Sequence, residues 1–260
     1  MVNLAKYFRS MHYVTIEALV IVALFHRLGQ GGLLNVIAAI VTASVVDITL
    51  KKFWLRQKLS PPLSAIITGL IVGLVTPFAN NPIAVIIPSV LGVLSKFVIR
   101  LKGTHIFNPA VIGVVASILL FSSIASHAPP EAAGHMTAEA NLGGFSVNLL
   151  LVPLLVYASY TSRKLWLSVS NLITSGLLYL LGGLTSTGAL VLALPYFFSF
   201  IIASEPKTTP NLRNQQLIFG VTVAILPFVP LLFSRPYNHI GALISLLIGN
   251  LAYAIYRPRA

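Results

Sequence analysis

The chain of 260 residues is 57% hydrophobic and 8% charged, with a mean hydropathy of +0.90 and a formal net charge of +12. Water-facing globules carry roughly a quarter charged residues, so this composition excludes an ordinary soluble domain and predicts an all-α integral membrane protein. The positive charge forms no face or stripe, which argues against a nucleic-acid interface. The lack of cysteine excludes disulfides, thiolate metal sites and a cysteine nucleophile.

A spanning helix needs about twenty apolar residues. Runs suited to that role fall near 13–29, 33–50, 62–77, 83–99, 109–124, 145–160, 165–183, 188–203, 216–233 and 238–256. The first follows Lys6 and Arg9 like a signal peptide, but it contains Glu17 and ends at His26-Arg27 without a small-residue cleavage site, so a retained helix is expected. Several runs are short and punctuated by proline, which predicts tilted, re-entrant or broken helices. The expected organisation is one membrane domain, 1–260. It has a first half at 1–124, an outer loop at 125–144 and an inverted second half at 145–260.

Charge placement tests this count. With the N-terminus inside, the inner segments hold Lys6, Arg9, Lys51, Lys52, Arg56, Lys58, Lys96, Arg100, Lys102, Arg163, Lys164, Lys207, Arg213, Arg257 and Arg259. The outer ones hold only Arg27 and Arg235. Such asymmetry predicts a plasma (inner) membrane protein with both termini cytoplasmic. The longest outer loop, Ser122 to Gly144, carries Pro129-Pro130, Glu131, His135 and Glu139.

Five spans followed by five place the halves in opposite orientations, and paired interruptions suit an inverted repeat. Val75-Thr76-Pro77 and Asn80-Asn81-Pro82 follow the third span, as Ser204-Glu205-Pro206 and Thr208-Thr209-Pro210 follow the eighth. His105 to Pro109 opens the fifth span, and Pro236 to Ile240 the tenth.

Acids at bilayer depth need a partner or an aqueous cavity. Three of the five acids qualify. Asp47 has Lys51 one turn on, so an interfacial ion pair competes with a place on an ion path. Glu17 has only His12 or Tyr13 near it in sequence, and either a structural hydrogen bond or an ion path fits. Glu205 sits beside Lys207 in a proline-flanked segment, where a functional role is favoured.

Asn108 before Pro109 is a good helix N-cap, and the same geometry can turn a helix dipole toward an anion. Thr68, Gly69 and Gly73 form a small-residue face suited to packing, with Thr68 a further candidate for an ion path. The six histidines show no metal spacing, and no catalytic triad, phosphate loop or dinucleotide fingerprint is present.

Taken in order, these motifs resemble one family, the NqrB/RnfD-type membrane subunits of sodium-pumping NADH:quinone oxidoreductase and of Rnf electron-transport complexes. Ser64-Ala65-Ile66-Ile67-Thr68-Gly69-Leu70 resembles its S-A-L-L-T-G-L, and Phe107-Asn108-Pro109-Ala110-Val111-Ile112-Gly113 its F-N-P-A-x-x-G. Ala203-Ser204-Glu205-Pro206-Lys207-Thr208-Thr209-Pro210 is similar to A-T-D-P-V-T-x-P, and Leu217-Ile218-Phe219-Gly220 to L-I-F-G. Arg257-Pro258-Arg259 is similar to the family's ending.

The resemblance covers most of 33–260. It implies ten helices in two inverted five-helix halves, as in urea transporters. It also implies a subunit, not catalytic alone, of an ion-translocating complex that couples flavin-mediated electron flow to Na⁺ or H⁺ movement. Membrane lipid, further membrane subunits and flavoprotein or iron–sulfur subunits are the implied partners. The implied cofactor is flavin mononucleotide or riboflavin, held without a covalent bond near Asn108, Pro109, Ser204, Glu205, Pro206 and Thr208. The family's covalent-flavin motif, S-G-A-T, is missing, and in the nearest string, Ser186-Thr187-Gly188-Ala189-Leu190, leucine stands at the acceptor position. His135-Met136-Thr137-Ala138 also lacks the motif. The alternative is a stand-alone channel or transporter for a small polar solute on the same fold, without redox chemistry.

Overall fold

The computed structural model describes residues 11–28, 32–58, 60–76, 82–120, 141–142, 145–183, 185–187, 190–229 and 239–257. Most of the loop from Ser122 to Gly144 lies outside them, as do Pro77 to Asn81, Pro236 to Asn238 and His135 to Ala138. The described chain is predominantly helical, with only short two-residue strands among the described residues. It divides into two compact units, residues 1–138 and 139–259.

In the first unit, α1 spans Met11–Leu28, α2 Leu33–Thr49, α3 Leu63–Val75, α4 Pro82–Val98 and α5 Pro109–Leu120. A wide π-turn, Leu50–Trp54, extends α2. The hairpin of β1, Arg100–Leu101, and β2, Thr104–His105, joins α4 to α5 in antiparallel register. Helix α3 packs on α2 and α1, α4 on α2, and α5 on α4. Glycines set these spacings. A Cβ at Gly69 would lie 2.6 Å from Ile40 Cα, and one at Gly73 would lie 2.6 Å from Val36 Cα, both on α2. A Cβ at Gly113 would collide with the Pro88 carbonyl of α4.

The second unit begins with a short hairpin of β3, Asn141–Leu142, and β4, Phe145–Ser146. Helix α6, Val147–Thr161, and α7, Leu165–Leu181, follow. The run expected as one span at 188–203 is broken. Helix α8 covers only Leu190–Ala193 before the chain bends at Leu194 and resumes as a π-turn, Phe198–Ile202. Pro195 is the cause, because it lacks an N–H and disfavours the helical conformation of the residue before it. Helix α9, Arg213–Ile225, ends in a 3₁₀ turn, Leu226–Phe228, and α10 spans His239–Tyr256. Here α7 packs on α9 and on the broken α8, α6 on the π-turn that continues α8, and α10 on α9. Counting helices within each unit, the same pairings recur: first with third, second with third, second with fourth, and fourth with fifth.

One described helix, Leu33–Trp54, is long and apolar enough by itself to cross a membrane, and the other apolar helices are shorter. The surface is unusually apolar: Leu34 is 69% exposed, Ile83 70% and Leu181 84%. The interior is unusually polar, since Asp47, Lys164, Asn171 and Asn250 are completely buried. Arg56, Lys102 and Arg163 are the non-glycine residues with positive φ among those described, at 51°, 52° and 58°.

Candidate functional site

Pro206 ends the apolar run of α8, and a second proline, Pro210, precedes α9. Between them the backbone is non-helical, so its carbonyl groups have no helical partners and must bond elsewhere when buried. Side chains from three neighbouring segments take them up.

Arg257 Nη1, one residue beyond α10, donates to Lys207 O at 3.3 Å, and Asn250 Nδ2 of α10 to Thr208 O at 3.1 Å. Lys164, in the turn between α6 and α7, donates from Nζ to Thr209 O at 2.9 Å, Pro210 O at 2.7 Å and Asn211 Oδ1 at 2.7 Å. Gln216 Nε2 of α9 reaches Asn211 O at 3.1 Å and Arg163 O at 2.8 Å, tying the two turns together. Five successive carbonyls, from Lys207 to Asn211, thus accept hydrogen bonds from side chains.

The segment also braces itself. Ser204 Oγ donates to Phe200 O at 2.6 Å, Thr209 Oγ1 donates to Glu205 O at 2.6 Å, and Thr208 Oγ1 donates to the Glu205 carboxylate. Burial lowers the Lys164 ammonium from its ordinary 10.5 to about 8, and the negative charge of Glu205 opposes part of that fall. Behind the segment, Asn171 of α7 joins two elements, accepting from Ser199 Oγ at 2.8 Å and donating to Gly220 O at 3.1 Å. Gly220 permits this approach: a Cβ there would collide with the Leu167 carbonyl and with Ser170 Oγ.

In the first unit, Asn108 caps α5, accepting from Ala110 N at 3.0 Å and Val111 N at 3.3 Å. Thr68 and Pro109 meet at Gly92, where an added Cβ would touch the Pro109 carbonyl and lie 3.6 Å from Thr68 Cγ2. Thr68 Oγ1 itself donates to Ser64 O at 2.9 Å. Asp47 pairs with Lys51 at 2.6 Å and also with Lys96 of α4 at 3.2 Å, so the carboxylate ties α2 to α4. Glu17 is half-buried on α1.

Thr68 and Pro109 therefore share one locus, Ser204, Glu205, Pro206 and Thr208 form another, while Asp47 is buried between α2 and α4 and Glu17 is half-buried on α1. Lys164, Asn171, Gln216 and Asn250 were not singled out in the sequence, although Asn171 inside the apolar run 165–183 and Asn250 deep inside 238–256 were a usable signal. Lys164 was hidden in the tally of inner charges.

The flavin implied by the resemblance fits these residues poorly. Leu190 has no hydroxyl to form a phosphoester. The polar atoms of Asn108 and Glu205 described above are spent on their own segments. No protein-family model matches the chain, and no curated protein matches it.

Proposed function

We propose that the chain is a ten-span plasma-membrane protein of two five-span halves and the ion-path subunit of an Rnf/Nqr-like electron-transport complex. Electron carriers would sit chiefly on partner subunits, and their turnover would drive Na⁺ or H⁺ through this chain. Any flavin the chain retains is held without a covalent bond. The inside-out distribution of polarity supports the membrane reading: fully buried Lys164, Asn171 and Asn250 alongside a Leu181 that is 84% exposed.

The observation that carries the transport role is the non-helical run from Lys207 to Asn211. Irregular backbone at the end of a broken span is tolerated where protein or an aqueous cavity satisfies it, and broken helices are where transporters bind ions, so the run suits the cytoplasmic end of such a path. The same run overlaps the end of the motif at Ala203 to Pro210 that resembles A-T-D-P-V-T-x-P.

A stand-alone channel or transporter for a small polar solute is the second reading, favoured by Leu190 in place of an acceptor hydroxyl and by the internally spent polar atoms. Purification with co-isolated redox subunits, and a visible spectrum taken before and after denaturation, tests the first. Partner flavoproteins should co-purify, and any flavin should be released by denaturant. Flux of a neutral solute in liposomes without a reductant would refute it in favour of the second. Because the chain has no cysteine, single cysteines at Lys207 and Glu139 give a direct topology test, with opposite labelling expected.

A further inference from the structure

A cavity of about 280 Å³ opens between α9 and α10 of the second unit, and its two ends differ in chemistry. One end is formed by Pro210, Gln215 and Arg257, and the other by Phe219, Thr222 and Gly249. From Gly249 to Arg257 is just over two helical turns, or about 12 Å.

The apolar end is deepened by the missing side chain of Gly249, since a Cβ there would press within 3.1 Å of the Phe219 ring and 3.0 Å of Val223. The Thr222 hydroxyl is spent on Ile218 O at 2.8 Å, so it adds little polarity. Tyr253 lines the cavity between the two ends. The flank is open: Ile218 is 68% exposed and Tyr256 86%.

The other end holds one cationic side chain among the described residues. Arg257 lines the cavity and bonds Lys207 O, which brings the Lys207 backbone to the same place. The acid near this end in sequence, Glu205, is engaged by Thr208.

We infer that this groove holds one anionic phospholipid of the cytoplasmic leaflet, its headgroup phosphate at Arg257 and an acyl chain running along α10 toward Gly249. The inference rests on the membrane reading above. Lipid supplies both an apolar chain for the open flank and a charge opposite to that of the basic mouth. Basic pockets between spanning helices on the cytoplasmic side are suited to acidic headgroups, and tyrosines suit the headgroup level.

The test uses the full-length protein purified in detergent and titrated with phosphatidylglycerol or phosphatidylcholine, with bound lipid counted by native mass spectrometry. Phosphatidylglycerol should bind more tightly, and Arg257→Ala should weaken it roughly fivefold, about what one cation near an anionic surface is worth. Arg257→Lys should restore most of that loss. Ala252→Phe, which fills the groove from an exposed wall position, leaves the Arg257 contact to Lys207 intact and should abolish binding of one lipid.

Equal binding of the two lipids, or unchanged binding in Ala252→Phe, would overturn the inference. Release of the chain from membranes by alkaline carbonate would instead overturn the membrane reading on which it stands.

Discussion

Replacing Lys164 with methionine tests whether the buried ammonium is the clamp of the broken segment. Methionine keeps most of the side-chain volume and removes the donor. Two buried acceptors, the carbonyls of Thr209 and Pro210, lose their partner, while exposed Asn211 can turn to solvent. Each orphaned buried acceptor costs about 1–3 kcal/mol.

Against this stands relief from burying a charge. Lowering the group from 10.5 to about 8 corresponds to about 3 kcal/mol. The two terms nearly offset at pH 7, leaving a net change of about −1 to 3 kcal/mol. Alkaline pH separates the two effects. Between about pH 8 and 10.5 the unfolded chain keeps its Lys164 proton while the folded chain sheds it, so the unfolded state binds more protons and wild-type stability rises. Lys164 lies in the turn between α6 and α7, so this proton exchanges outside the apolar spans.

Denaturation in detergent, followed by Trp166 fluorescence and compared at pH 7 and pH 10, should show the gap between wild type and Lys164→Met widening by up to about 3 kcal/mol. Coincident unfolding of the two proteins at pH 10, where the desolvation penalty has largely gone, would remove the clamp. A gap independent of pH would remove the desolvated ammonium.

Asp47→Ala should destabilise the first unit by about 2–3 kcal/mol, less than for a fully enclosed pair because Lys51 and Lys96 can turn partly to water. A double-mutant cycle with Lys96→Ala should give a coupling above about 0.5 kcal/mol, and additivity would deny the cross-helix bond. Gly220→Ala should cost more than about 2 kcal/mol, since α7 and α9 must separate, and an unchanged melting curve would show that the close approach is not real. Asn108→Ala should cost about 1 kcal/mol and Asn108→Gly only a few tenths, the signature of an N-cap; a loss of ion flux with no loss of stability would instead assign Asn108 a transport role.

Hydrophobic run length made the helices legible: the first residues of α2, α5 and α7 fall where the apolar runs and the Asn108-Pro109 signature place them. The pairing of Asp47 with Lys51 was also legible, because its spacing is local. Lys96, the third member, was not, since 49 residues separate it from Asp47. Lys164 poses the same difficulty, with its carbonyl acceptors 45 and 46 residues away. A backbone carbonyl has no sequence identity, so nothing in the residue types at 209 and 210 announces that a lysine will be needed there. The break in α8 could have been placed at Pro195, but hydropathy averaged over a window runs straight through a single proline.

The three left-handed residues, Arg56, Lys102 and Arg163, follow a rule that fold stability does not dictate. Each sits in a tight connection where glycine would adopt the same φ without steric strain, and each is basic. A non-glycine residue in that conformation gives up about 1 kcal/mol or more. At those turns the chain carries charge where relaxed backbone would ask for glycine, and all three lie in segments expected on the cytoplasmic side. Insertion and folding then impose opposing demands on the same three positions. Glycine at all three would give a firmer protein whose helices were less certain of which way to enter the bilayer.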